Sequence, residues 1–273
     1  MIISDYHSHT SFSSDSDADP EDMIRQAVSA GLHTLCITEH MDYDFPKCYE
    51  LSFEFDPEEY FRKLLPLKEA CKKQLNLQIG IEAGVRPYLA ERYHSLLSSY
   101  PFDFVICSTH LVRDIDPYYR SYWEEHGIQK GLFYYFEEIL ETLEAFSDFD
   151  VYGHLDYVVR YIPEDLQKKE NFTFTYAHFS SLIDEILRKI ISLGKGIEIN
   201  TAGYKYGLNR PNPDYEIIKR FRELGGQYIT IGSDAHEPRY LAHSFSEAER
   251  IIRAAGFVEY AVFEQRERKM LPF

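Results

Sequence analysis

The sequence predicts an α/β fold built on a parallel sheet. Two observations carry this. Short apolar runs alternate with amphipathic runs of helical period, β then α, seven times along the chain. No linker-like stretch or shift in composition interrupts the alternation, so residues 1–273 read as one domain. Seven units of this kind fit an open doubly wound sheet or a closed barrel, and 273 residues suffice for a barrel.

Met1–His9 reads as the first strand. A polar run, Ser11–Asp19, follows it, and Asp19 with Pro20 opens the helix Pro20–Ala30, which Gly31 stops. Thr34–Thr38 is a buried strand ending in Glu39-His40. Asp56 caps a helical stretch from Pro57 to about Leu75, with a kink or split expected at Pro66. The strand Leu77–Ile81 ends in Glu82-Ala83-Gly84, Pro87–Ser98 reads as a helix, and the strand Phe104–Cys107 ends in Ser108-Thr109-His110. An aromatic insertion, Leu111 to about Gly131, precedes the helix Gln129–Phe146. The strand Val151–Gly153 ends in His154-Leu155-Asp156, and the loop after it carries Arg160. Then come the helix Tyr176–Ser192, the strand Gly196–Asn200, the loop Thr201–Pro213 and the helix Asp214–Leu224. The strand Tyr228–Ile231 ends in Gly232-Ser233-Asp234-Ala235-His236. A last helix, about Ser246–Ala255, leads to an apolar tail, Phe257–Phe263, and a charged end.

Lys and Arg number 29 against 45 Asp and Glu, giving a formal net charge of −16. That disfavours nucleic acid, which calls for a basic stripe. An anionic small molecule stays open, because bound divalent cations reverse the local field. The four cysteines are scattered without a CxxC pair and read as reduced thiols, with Cys36 and Cys107 in the core. No stretch approaches the length of an apolar membrane span, and no basic-then-apolar leader opens the chain, so a cytoplasmic location is expected. Tyrosine is abundant at 22 residues, enough to furnish both a core and a site with amphipathic rings.

The chemistry lies at the strand ends. His7 and His9 alternate along a strand, so both point one way, about 6–7 Å apart. Such a pair is a weak signal by itself. Six of the seven predicted strands, however, end in metal-competent side chains: His7 and His9, His40, Glu82, His110, His154, and Asp234 with His236. In α/β barrels those C-terminal strand ends converge on one face. Six of the 11 histidines occupy this one topological position. The other five, His33, His94, His126, His178 and His243, fall on helices, their flanks or loops and read as surface or capping residues. Imidazole and carboxylate without thiolate suit Zn, Mn or Fe at a catalytic centre. The donors exceed the needs of one ion, so two or three ions are implied, with Glu82 the natural bridge.

The motifs Asp5-x-His7-x-His9-Thr10, Thr38-Glu39-His40, Gly80-x-Glu82-x-Gly84, Ser108-x-His110, Gly153-His154-Leu155-Asp156 and Ser233-Asp234-Ala235-His236 resemble, in this order, those of the polymerase-and-histidinol-phosphatase (PHP) superfamily. The resemblance spans residues 5 to 236 and is closest to the stand-alone histidinol-phosphate phosphatases. It implies a distorted (β/α)7 barrel with a trinuclear site at the C-terminal strand ends. It implies one ion held by His7, His9, Glu82 and Asp234, a second by Glu82, His110 and His154, and a third by Asp15, His40 and His236. Relatives often carry His where this chain has Asp15, which shifts that position towards oxygen-liking ions such as Mn or Fe.

The activity the resemblance implies is hydrolysis of L-histidinol phosphate, a phosphate monoester, in histidine biosynthesis. Arg160 is the first choice for a phosphate clamp and Arg113 the second, because a guanidinium fork matches phosphate geometry. Asp15 is a candidate proton donor to the leaving alkoxide. The acidic, aromatic loops Asp42–Phe55 and Asp114–Trp123 are candidates to hold an imidazole and an ammonium group. The alternatives are another PHP hydrolase, an exonuclease or protein-tyrosine phosphatase, or a non-catalytic barrel of the same fold.

Overall fold

A computed structural model describes residues 1–273. Seven parallel strands lie side by side in chain order: β1 Ser4–Asp5, β2 Thr34–Met41, β3 Asn76–Gly84, β4 Phe104–Ser108, β5 Val151–Tyr152, β6 Gly196–Asn200 and β7 Ile229–Gly232. Backbone bonds bring the last strand back to the first. Tyr6 N donates to Ile231 O (2.9 Å), Asp234 N to His7 O (2.8 Å) and His9 N to Ala235 O (2.9 Å). The sheet is therefore the closed alternative, a nearly complete (β/α)7 barrel. Closure removes the unpaired edges that an open sheet would expose.

Both faces of each strand are covered, and β4, β6 and β7 are buried at every residue. Outside lie the helices α1 Pro20–Ser29, α2 Pro57–Cys71, α3 Ala90–Ser99, α5 Ile128–Ala145, α7 Ser180–Ser192, α9 Tyr215–Glu223 and α10 Phe245–Ala254. The shorter α4 Arg120–His126, α6 Glu164–Glu170 and α8 Ala202–Lys205 sit in the loops. The caps follow the sequence: the Asp19, Asp56 and Asp214 side chains accept from the N–H groups of Glu21, Glu58 and Glu216. Gly31 ends α1 at φ +77°, a conformation other residues adopt at a cost. α5 buries Leu132, Tyr135, Phe136, Ile139 and Leu143 as one stripe against the barrel.

Two elements add to the sequence reading, the first by excluding the split at Pro66. α2 runs through Pro66 to Cys71 without a break. Pro66 and Arg62, whose carbonyl loses its donor, are both exposed residues. The C-terminal tail is a hairpin, β8 Glu259–Glu264 paired antiparallel with β9 Glu267–Pro272. It closes the end of the barrel away from the strand C-termini. Phe263 N donates to Tyr6 Oη, and Tyr6 Oη donates to Phe263 O, both at 2.7 Å. Tyr6, Cys36, Phe104, Ile106, Val151, Tyr228 and Phe263 form a separate small core there.

Candidate metal centre

β1 delivers His7 and His9 to the barrel interior, both fully buried, while Ser8 between them turns away and donates to Cys36 O. Their Nε2 atoms stand 3.1 Å apart. His7 Nε2 is 3.1 Å from Glu82 Oε2 and 3.8 Å from Asp234 Oδ1. His9 Nε2 is 3.5 Å from each of the same two oxygens. A tetrahedral ion with bonds of about 2.1 Å separates its ligands by roughly 3.3–3.6 Å, close to these spacings, and His7, His9 and Glu82 form one group able to hold a cation.

The parallel register sets His40 on β2 beside Glu82 on β3. Glu82 Oε1, the other oxygen of the same carboxylate, lies 3.1 Å from His110 Nε2 and 2.7 Å from His154 Nε2. Glu82 thus faces both groups, as a bridging carboxylate must. A third group gathers at the outer edge. Asp15 Oδ2 lies 3.2 Å from His236 Nε2 and 3.6 Å from His40 Nε2, and the His40 and His236 rings each stack on His9 at 4.2 Å. All nine side chains expected at the strand ends and in the Ser11–Asp19 run therefore meet in one place. Asp15 is the most exposed of them, at 39 %.

The donor chemistry fits divalent cations. His154 Nδ1 is buried without a hydrogen-bond partner, and His40 Nδ1 and Glu82 Oε2 face each other at 3.0 Å without hydrogen-bond geometry. Burial drives the Glu82 and Asp234 pKa values up, but His7 and the neighbouring imidazoles outweigh it and hold both well below the carboxylate range. Burial and the charges of His40 and His236 push His9 well below its ordinary value, leaving a neutral ring suited to ligation.

Around these donors stand two residues to which the sequence reading gives no role at the centre, Glu198 of the run Glu198-Ile199-Asn200-Thr201 and Asp42. Glu198 Oε1 is 2.5 Å from His7 Nδ1, and both Asp42 oxygens are 3.0 Å from His110 Nδ1. Such carboxylates orient a ligating imidazole from behind. Alternation could have found both, since Asp42 lies two residues past His40 and Glu198 two before Asn200. Two glycines make room for them: a Cβ at Gly84 would strike Asp42, and one at Gly232 would strike Glu198.

The centre opens into a cavity of about 840 Å³. Phe45, Leu51 and Phe53 line it from one expected loop and Asp116, Tyr118 and Tyr119 from the other. The Tyr49 and Tyr119 rings stack at 4.2 Å and join the two loops. Arg160 reaches the cavity from the helical turn Tyr157–Tyr161 after β5. Its guanidinium sits 5.0, 4.8 and 4.3 Å from the ring centres of Tyr157, Tyr161 and Tyr206, and one nitrogen donates to Tyr161 Oη at 2.7 Å. Its Nε and Nη1 are buried without a hydrogen-bond partner, with Nη1 3.9 Å from Asp234.

Arg113 does not reach the cavity, contrary to expectation. It adopts φ +50°, pairs with Glu137 at 2.8 Å and lies 3.3 Å over the Tyr134 ring on α5. His33, His94, His126, His178 and His243 do not line the cavity.

The PHP domain family matches residues 5–202. A histidinol-phosphatase of Lactococcus lactis is 32% identical over 95% of this chain and 93% of its own. A probable histidinol-phosphatase of Clostridium acetobutylicum is 31% identical over 98% and 99%. The crystal structure of the Lactococcus lactis histidinol phosphate phosphatase, complexed with Zn, L-histidinol and phosphate, superimposes with a TM-score of 0.87 at 30% identity and covers 98% of both chains. The chain belongs to the PHP domain family.

Proposed function

We propose that this protein hydrolyses L-histidinol phosphate to L-histidinol and phosphate, using two or three divalent ions of Zn, Fe or Mn. One observation carries the reading. Buried Arg160, with two nitrogens unpaired, faces the same cavity as the carboxylate-bridged imidazole groups. That sets a guanidinium, the side chain suited to phosphate oxygens, beside a cation site. The Lactococcus lactis relative, matched over nearly its whole length, is crystallised with the two products of this reaction.

The ligands are assigned as their positions favour: His7, His9, Glu82 and Asp234 to one ion, Glu82, His110 and His154 to a second, and Asp15, His40 and His236 to a third. When bound, the ions supply positive charge for phosphoryl oxygens and acidify water. Arg160 binds the phosphate, and its three tyrosines hold the guanidinium in place before the substrate arrives, so little is lost in ordering it. Burial would raise the Asp15 carboxyl, but His40 and His236 hold it well below the carboxylate range. That charge falls away when the imidazoles ligate a cation, so Asp15 is assigned to cation binding and stays the candidate to protonate the leaving alkoxide. Phe45, Phe53 and the paired tyrosines form an apolar wall suited to an imidazole, and Asp116 offers a carboxyl to an ammonium group.

A macromolecular substrate is disfavoured. The mouth carries Asp17, Asp19, Asp22, Asp116 and Glu237 against Arg160 and Lys205, which repels a polyanion. We read the whole chain as one domain, because the C-terminal hairpin packs on Tyr6 and Phe104 of the barrel. No helix is long and apolar enough to cross a membrane. A cytoplasmic location accords with four free cysteines.

The test is phosphate release from L-histidinol phosphate, compared with phosphotyrosine peptide and single-stranded DNA, after reconstitution with Zn, Fe or Mn. Release from L-histidinol phosphate alone supports the proposal. No release from it in any metal form overturns it.

A further inference from the structure

Ser13 belongs to the run Ser11–Asp19, which reads in sequence as a polar run. It is 98% covered, with a relative exposure of 2%. Its hydroxyl touches three groups. It donates to Glu39 Oε2 at 2.5 Å, it accepts from the backbone N–H of His40 at 3.0 Å, and it stands 3.1 Å from His9 Nδ1. Glu39 is itself fully buried, and its oxygens also accept from Thr10 N (3.0 and 3.1 Å) and Thr10 Oγ1 (2.5 Å).

A hydroxyl has one proton and two lone pairs. Here the proton points at Glu39, and His40 N–H occupies one lone pair. The only role left towards His9 is acceptor. His9 Nδ1 must therefore be the protonated nitrogen, and its Nε2 carries the free lone pair towards Glu82 and Asp234. We propose that Ser13 is a positioning residue that fixes the tautomer of His9 and ties that ring to the strand carrying His40. This rests on the reading of His9 as a ligand.

The arrangement differs from those at His7 and His110, where a carboxylate contacts the ring directly. At His9 the carboxylate acts one residue removed, through Ser13. Because Ser13 also holds the His40 backbone, it couples two of the three donor groups. Thr10, adjacent to His9, anchors the opposite side of Glu39, so the whole turn is built around this one buried carboxylate.

The test compares the wild type with Ser13→Ala, Ser13→Thr and, as a control, the exposed Ser14→Ala. Zinc per chain is measured at buffered free zinc, and the His9 tautomer is read by nitrogen-15 NMR of metal-free protein at pH 8. Ser13→Ala is expected to weaken zinc binding about 10–100-fold, the usual cost of removing an outer-shell partner. Ser13→Thr, which keeps the hydroxyl, is expected to restore most of it, and Ser14→Ala to bind as the wild type does. The wild-type His9 is expected to carry its proton on Nδ1. Zinc binding by Ser13→Ala equal to wild type overturns the proposal, as does a proton on His9 Nε2. If Ser13→Ala does not fold, the wild-type tautomer and Ser13→Thr decide. No readout here uses substrate, so failure of L-histidinol phosphate hydrolysis would be a separate result.

Discussion

His7 Nδ1 lies 2.5 Å from Glu198 Oε1, while the other oxygen of Glu198 accepts from His154 N at 2.8 Å. One buried carboxylate on β6 thus holds donors from β1 and β5, and through them from two of the proposed ions. Glu198→Gln keeps the shape and removes the charge that faces the imidazole. It is expected to weaken metal binding about 10–100-fold and to lower kcat with little change in KM. Metal titration and steady-state kinetics check this. A KM effect alone would count against an orienting role.

Arg160 and Arg113 make opposite predictions although each lies close behind a metal-competent histidine in sequence. Arg160→Lys removes the fork but keeps a charge and is expected to lower kcat/KM for a phosphomonoester about 10–100-fold, a cost of roughly 1.4–2.8 kcal/mol. Arg113→Ala breaks a surface pair with Glu137 and is expected to change kcat/KM by less than about twofold. Equal effects would show that the cavity does not discriminate between them.

The contrast marks what a sequence can convey. His7, His9, Asp234 and His236 are legible because strand alternation and strand ends fix where a side chain points. Arg113 was misplaced because nearness to His110 along the chain says nothing of direction in a loop, and its left-handed backbone turns it towards α5. Ser13 was invisible because a polar residue in a polar run has no periodicity, and its burial comes from Glu39 across the barrel rim. The hairpin carries no sequence signal because its turn, Gln265-Arg266, takes φ +51° and +65° without the Asn or Gly that usually marks such a turn. Pro66 is the reverse case, a strong local signal that does not split α2 at an exposed position.

Removal of metal tests the centre as a whole. The site gathers five carboxylates and six imidazoles, counting Asp42 and Glu198 beside the ligands, within a few side chains of one another. Chelation is expected to abolish phosphatase activity and to lower the thermal midpoint, because ions that bind only the folded chain stabilise it by mass action. Calorimetry with and without EDTA, followed by zinc or manganese add-back, measures both. Full activity after chelation with no detectable metal would exclude the proposed chemistry.

Acid stability offers a test away from the centre. Asp184 on α7, only 7% exposed, accepts from Arg220 on α9 at 2.9 and 2.6 Å, and from Arg188 and Tyr176 at 2.8 and 2.6 Å. The bonds from Arg220 are the chief cause that pulls its pKa down to about 2, against burial, which raises it. A carboxyl depressed in the folded state contributes stability that is fully present above its unfolded value, near 3.8, and lost as pH falls through about 2. Arg188 and Arg220 are partly exposed, so solvent screening reduces the contribution to about 1–2 kcal/mol. Asp184→Asn is expected to lower stability by that amount at pH 7 and to flatten the loss between about pH 4 and pH 2. Urea midpoints across that range decide it: if the variant and wild type lose stability in parallel as pH falls, Asp184 is not the group responsible.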